Sequence, residues 1–216
     1  MLIENWMTKD VVSGTPEMSM MKASKIMKEK GIGRLPVVNE AGVLVGLVSD
    51  RDIKEASPSK ATTLDMHELY YLLSEVKLKD IMTKKVVTIK QGETVDRAAQ
   101  ILLENRIGGM PVVDEQNKVV GMVTDSDIFK ALVKITGVME GGVQIGVRLP
   151  NQPGGLVPVL DYLKDHGARL MSLLTSCEPA EVGMRDVFVR IRDMDRTAMN
   201  KLKAEMHEKF EVTYWV

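Results

Sequence analysis

The sequence predicts an α+β protein in three parts, two copies of a βαββα unit followed by a βαββαβ unit of ferredoxin-like order, and three observations carry that prediction. Residues 7–53 align without a gap on residues 82–128 at a constant offset of 75, with 20 of the 47 positions identical. Within each copy the apolar spacing passes from extended to helical and back to extended in the same order. After Gly141-Gly142 the repeat ends and a different alternation begins.

Each copy opens on a short apolar pair, Val11-Val12 or Val86-Val87, predicted as extended. A helix follows, with Ser19 and Thr94 as its N-caps. Val95, Ala98, Ala99, Leu102 and Leu103 of the second copy share one helical face. The run Ile32-Gly33-Arg34-Leu35-Pro36-Val37-Val38 returns as Ile107-Gly108-Gly109-Met110-Pro111-Val112-Val113, and its β-branched end reads as a strand. Asn39-Glu40-Ala41-Gly42 is a hairpin turn, Val43 to Val48 the returning strand, and a second helix starts at Asp50 or Asp125. The copies are assigned to residues 1–60 and 81–140. Residues 61–80 form a helical connector on the spacing of Leu69, Leu72, Leu73 and Val76 after the turn Ser57-Pro58-Ser59.

Residues 141–216 form the third part. Val143, Ile145, Val147 and Leu149 alternate as a strand, and Asn151-Gln152-Pro153-Gly154-Gly155 turns into a helix with Leu156, Val159, Leu160 and Leu163 on one face. Strands at about 168–176 and 185–192, a helix over about 196–210 and a strand at 212–216 complete the order.

Composition narrows the function classes. Hydrophobic residues are 44% and charged residues 27% of the chain, well away from disorder. Lys plus Arg (29) nearly cancels Asp plus Glu (30), so no basic field or basic helix points to nucleic acid. No apolar run is long enough to span a membrane, and Met1-Leu2-Ile3-Glu4-Asn5 lacks the order of a signal peptide, so a cytoplasmic location is expected. The single cysteine, Cys177, and the scattered His67, His166 and His207 show neither metal-ligand spacing nor a nucleophile with its base. The histidines are read as solvated surface and the chain as a non-enzyme without a catalytic cofactor or metal. Many of the sixteen methionines, such as Met20 and Met27 beside Ala23, fall at core spacing.

The functional signal is a hydroxyl three residues before a carboxylate where a strand enters a helix: Ser49-Asp50-Arg51-Asp52 and Thr124-Asp125-Ser126-Asp127. A helix start offers unpaired N–H groups to a phosphate, the hydroxyl adds a donor, and the acid suits the paired hydroxyls of a ribose. The same pattern is also a capping box that only starts a helix. Arg51 can pair with phosphate and Ser126 cannot, so two unequal sites are implied. Gly33 and Gly108, before the strands of Pro36 and Pro111, leave room for a flat base or simply make turns.

On these residues each copy resembles a cystathionine-β-synthase (CBS) domain, including the family's Gly-h-h-(Ser/Thr)-x-x-Asp ending (h, hydrophobic), and the pair resembles a Bateman module. The resemblance implies adenosyl ligands such as AMP, ADP, ATP or S-adenosylmethionine. Asp52 and Asp127 would hold ribose, Ser49 and Thr124 phosphate, and the main chain near Val12-Ser13, Ile32-Gly33, Val87-Thr88 and Ile107-Gly108 would flank adenine. Residues 141–216 resemble an ACT domain through Pro153-Gly154-Gly155-Leu156, which makes Asn151 and Gly155 candidate amino-acid contacts, although such domains also serve only to associate. The order CBS, CBS, ACT is similar to acetoin-utilisation regulators of the AcuB type. It implies a homodimer and a metabolic enzyme partner. A ligand-free dimerisation scaffold is the alternative.

Overall fold

The computed structural model describes residues 1–57, 74–178 and 182–216. Of the expected connector, Leu69, Leu72, Leu73 and His67 lie outside the described residues. The chain divides into two compact units, Met1–Phe129 and Lys130–Val216.

The first unit holds both repeats apart from the end of their last helix, which belongs to the second unit from Lys130 onward. In the first, helix α1 (Met20–Lys30) precedes the hairpin β1 (Arg34–Val38) and β2 (Leu44–Ser49), and α2 (Asp50–Ala56) follows at once. A single-turn helix, α3 (Leu78–Ile81), leads into the second repeat. There β3 (Ile89–Lys90), α4 (Val95–Asn105), β4 (Gly109–Val113), β5 (Val119–Thr124) and α5 (Asp125–Thr136) repeat the order. The expected caps form, Ser19 Oγ accepting from Lys22 N and Thr94 Oγ1 from Arg97 N. The hairpin registers are related residue by residue at the offset of 75: Arg34 faces Ser49 and Gly109 faces Thr124, and both ladders shift after the same valine.

One expectation needs correction. The valine pairs are not strands; pairing begins farther along, at Ile89–Lys90 against β4 and at the matching Gly14, which makes a single parallel bridge to Val37. Bridge-forming main chain, not an apolar side-chain pair, marks the position. Gly14 suits it because a Cβ there would meet Leu78 Cδ1 at 2.8 Å.

The repeats pack as pseudo-twofold mates. Thr8 bridges Met122 and, at the offset of 75, Leu47 bridges Thr83, while Val43 bridges Lys118, its own equivalent. Gly46 lies against Met82 and Gly121 against Met7, where any Cβ would collide with the methionine sulfur. The leader of each repeat is given to the other. Ile3 N donates to Glu93 O at 2.8 Å, and Leu78 N to Met18 O at 2.9 Å. Leu78 is fully buried among Met20, Ala23, Met27 and Leu35, a core that belongs to the other repeat.

In the second unit β6 (Val143–Pro150), α6 (Val157–Asp165), β7 (Leu170–Ser176), β8 (Met184–Ile191), α7 (Arg196–Lys209) and β9 (Glu211–Trp215) follow the expected βαββαβ order. They form an antiparallel sheet in the order β7-β8-β6-β9, the split arrangement of a ferredoxin-like unit. Alternation places Ile145, Val147, Val187, Val189 and Ile191 on the helix-covered face, where they pack with Val159, Leu163, Leu202 and Met206. The opposite face carries Arg148, whose Nε donates to Asp186 at 2.9 Å.

A second expectation also changes: His166 is not a solvated surface residue. At the end of α6 its Nε2 lies 2.8 Å from Glu205 Oε2, which also accepts from the Tyr162 hydroxyl at 2.8 Å. The Tyr162 and His166 hydrogen bonds hold the Glu205 carboxyl below its ordinary value of 4.5. A depressed folded-state value stabilises above the unfolded value and is lost as pH falls through the folded one. Glu205→Gln is therefore expected to flatten the loss of thermal stability on acidification below about pH 4.5, read as midpoint against pH.

Candidate functional site

The hairpin geometry delivers both hydroxyl–acid motifs to a strand-to-helix junction. At the first, Ser49 N and Oγ both donate to Asp52 Oδ2 at 2.7 Å, and Asp52 N donates to Ser49 Oγ at 3.2 Å. At the second, Thr124 N and Oγ1 donate to Asp127 Oδ2 at 3.0 and 2.8 Å, and Asp127 N returns to Thr124 Oγ1 at 3.4 Å. Both motifs are reciprocal helix caps. A carboxylate has about four acceptor positions, and each cap engages its Oδ2. Asp127 is buried and Asp52 half-buried.

A cleft of about 310 Å³ lies between the repeats. From the first copy it gathers Val12, Ile32, Gly33 and Arg34, and from the second Thr124, Asp125 and Ser126. A base-flanking main chain and a hydroxyl thus come together, but from different copies, because the Thr8–Met122 bridge brings the Thr8–Val12 segment across β5. Ser13 is exposed, and Pro36 and Pro111 are buried within β1 and β4; none of the three lines this cleft. On the matching side the Leu47–Thr83 bridge carries the segment toward Val87 and Thr88 past the end of β2 at Ser49. Ile107 and Gly108 precede β4, with Asp125 N donating to Gly108 O at 3.3 Å as Asp50 N does to Gly33 O at 3.0 Å.

The cations are placed differently from expectation. Arg51 is 83% exposed in its side chain and pairs with Glu55 at 2.7 Å. Arg34, not singled out from sequence, lines the cleft beside Ser126, and its guanidinium reaches Gly108, where a Cβ would sit 2.5 Å from Nη2. Its signal was present as a departure between the copies, since Arg34 stands where the second copy has Gly109. Lys54, hydrogen-bonded at 3.2 Å, and more weakly the Arg34 charge hold the nearby Asp50 carboxyl below the usual range.

In the second unit Asn151 and Gly155 lie on the turn between β6 and α6 and line a separate cavity of about 500 Å³. Among the described residues no group of three or more His, Cys, Asp or Glu is placed to hold a metal ion, and no helix is long and apolar enough to cross a membrane.

Two tandem hairpin-and-helix repeats sharing a cross-repeat cleft have the arrangement of a CBS pair, and comparison with known proteins agrees. The model of the CBS domain matches residues 3–59 and 78–134, together more than half of the chain, and the chain belongs to the CBS-domain family. It is 33% identical over 130 residues to the uncharacterized protein MJ1225 of Methanocaldococcus jannaschii, covering 60% of this chain but only 46% of that protein. The CBS domain pair of protein MJ0100, solved with 5′-methylthioadenosine and S-adenosyl-L-methionine, is 31% identical. It superposes with a TM-score of 0.51 over 61% of this chain and 99% of its own. CBSX2 solved with AMP is 28% identical, with a TM-score of 0.52 over 62% of this chain and 98% of its own; the protein is from Arabidopsis thaliana.

Proposed function

We propose that the chain is a regulatory sensor of adenosine-containing ligands, of the AMP, ADP, ATP or S-adenosylmethionine class, bound between its two CBS repeats. One observation carries the reading: the cleft that sets Val12, Ile32 and Gly33 against Thr124 and Ser126, with Arg34 beside them. The main chain at Ile32-Gly33 is open enough for a flat base. Thr124 and the first turn of α5 offer donors to phosphate, and Asp127 an acceptor to ribose. Arg34 supplies the cation that Ser126 lacks. The second, related site is assigned to Ser49, Arg51 and Asp52 with Val87, Thr88, Ile107 and Gly108; the prolines 36 and 111 and Ser13 support the backbone of the two sites. Relatives bound to methylthioadenosine, S-adenosylmethionine and AMP support this class of ligand.

Thermal unfolding of the full chain with AMP, ATP, S-adenosylmethionine and methylthioadenosine tests the reading. A ligand at 100 times its Kd adds about 2.7 kcal/mol of stability. Asp127→Ala is expected to weaken that ligand by roughly 10- to 100-fold, the value of about 1.5–3 kcal/mol for a hydrogen bond to a charged group. Arg34→Gly is expected to weaken AMP and ATP more than methylthioadenosine, which has no phosphate. No midpoint shift with any of the four would favour the second reading, a ligand-free dimerisation scaffold. The observation behind that alternative is that both hydroxyl–acid motifs already serve as helix caps.

The remaining assignments belong to the same proposal: CBS repeats over 1–60 and 81–140 with a connector at 61–80, and an ACT-like domain over 141–216. That domain would take an amino acid at Asn151 and Gly155 and relay the nucleotide signal within a cytoplasmic homodimer or to a metabolic enzyme. The acetoin link rests on the order of the domains. Coupling requires a ligand that prefers one packing of the repeats over another.

A further inference from the structure

The cavity at the β6–α6 turn contains an arginine that nothing in the sequence pattern explains. Arg185 pairs with Leu149 in the sheet register and has the same alternation phase as the fully buried Val187, Val189 and Ile191. The pattern therefore calls for an apolar side chain there. A cationic group at such a position is stable only when its N–H groups have acceptors. Among the described residues the buried Nε of Arg185 has no hydrogen-bond partner, and its Nη2 meets only the Cys177 sulfur, a weak acceptor, at 3.9 Å. Arg190 on the same strand also has an unpartnered Nε, but its Nη1 and Nη2 are taken up by the carbonyls of Gly141 and Gly142 and by Gln144. Arg190 has an evident structural task. Arg185 borders open space.

That space has a definite chemistry. The cavity measures about 500 Å³; Leu149, Pro150, Leu156 and Val157 form apolar walls, and among the described residues Arg185 is the one charged side chain lining it. The turn is held tight by Gly155, where a Cβ would meet Pro150 O at 2.8 Å, and Gly154 takes a positive φ of 76°. Asn151 adds an amide whose Nδ2 lies 3.6 Å from the Cys177 sulfur. The Nε and Nη2 edge of a guanidinium matches the two oxygens of a carboxylate.

We propose that this cavity binds a small carboxylate with a short apolar chain, and that Arg185 receives the carboxylate through its Nε and Nη2. The proposal rests on the reading of the Asn151–Gly155 turn as a ligand-binding element, and names the group recognised and the residue that recognises it. Unlike that reading, it does not require the ligand to carry an amine.

The test is titration of the full ¹⁵N-labelled chain with isovalerate, L-leucine, isovaleramide and inorganic phosphate while following arginine Nε–Hε resonances, with calorimetry alongside. A saturable shift of the Arg185 resonance with isovalerate, and none with the neutral amide isovaleramide, is expected. Arg185→Lys keeps the charge but not the planar fork, and is expected to weaken isovalerate about tenfold, one charge-assisted hydrogen bond. Arg185→Gln is expected to abolish binding, with the thermal midpoint of both variants retained. An equal response to phosphate would overturn the carboxylate assignment. L-leucine binding unchanged in Arg185→Gln would overturn the role of Arg185 while leaving the turn as an amino-acid site. Absence of any shift or heat with isovalerate and L-leucine would remove both.

Discussion

Leu78→Ala is expected to destabilise the first unit by about 2–5 kcal/mol, the range for truncating a fully buried leucine whose surroundings cannot collapse. Leu78 has no solvent exposure, and its Cδ1 lies over Gly14, where the Gly14–Val37 bridge fixes the main chain. The residue belongs by sequence to the leader of the second repeat but fills the core of the first. Ile3, its equivalent at the offset of 75 and likewise fully buried, donates through its main chain beside Thr94. Urea unfolding of Leu78→Ala and Ile3→Ala, followed by intrinsic fluorescence and by amide exchange within α1 and α4, separates local from shared effects. Leu78→Ala should lower protection in α1 most, and Ile3→Ala in α4. A loss below about 1 kcal/mol in both would mean that the exchanged leaders only lie along the cores.

Gly142→Ala is expected to cost about 2–6 kcal/mol in the second unit, adding a positive φ that a side chain disfavours to a collision that cannot relax cheaply. Gly142 has a φ of 80°, and a Cβ there would run into the main-chain carbonyl of Ile191, the end of β8. Its neighbour Gly141 has a φ of 77°, but a Cβ there meets nothing closer than Asp193 Oδ2 at 3.9 Å. Gly141→Ala should therefore show the backbone penalty alone, about 1–3 kcal/mol. Thermal unfolding of the pair measures the difference, and equal losses would show that β8 yields to the added methyl. Both carbonyls also accept from Arg190 Nη1, at 3.2 and 3.4 Å, so a shifted segment would leave that guanidinium without its partners.

Much of this architecture was legible because the same signals occur twice. The caps at Ser19 and Thr94, the hairpin turn ending at Gly42 and the helix starts at Asp50 and Asp125 depend on local chemistry that one segment carries by itself. The turn shows this directly: Gly42 and its equivalent Asn117 both take positive φ, 76° and 59°, a conformation suited to those two residue types. The first strand was misplaced because pairing at Gly14 is made by the main chain, and glycine leaves no apolar alternation to read. The exchanged leaders lie outside the 47 aligned positions, and the apolar Ile3 and Leu78 carry no mark of which core they enter. The clefts were hidden for a related reason. Thr124 and Ile32 line one cleft only once the copies are paired, which no spacing along a single copy encodes. Arg34 was visible as an inequality between copies, but its direction, toward Gly108, belongs to the pairing.

The exchange of leaders has a consequence for ancestry. A protein made of one such repeat would present an incomplete core and a leader of its own fitted only to a neighbour, and the simplest neighbour is a second copy of itself. The Val43–Lys118 bridge, which the offset of 75 maps onto itself, marks where the axis of such a homodimer would have run. Fusing the two genes would preserve every contact across that axis while freeing each half to change alone. The difference between Arg34 and Gly109 is the kind of divergence that a symmetric homodimer could not have made on one side only.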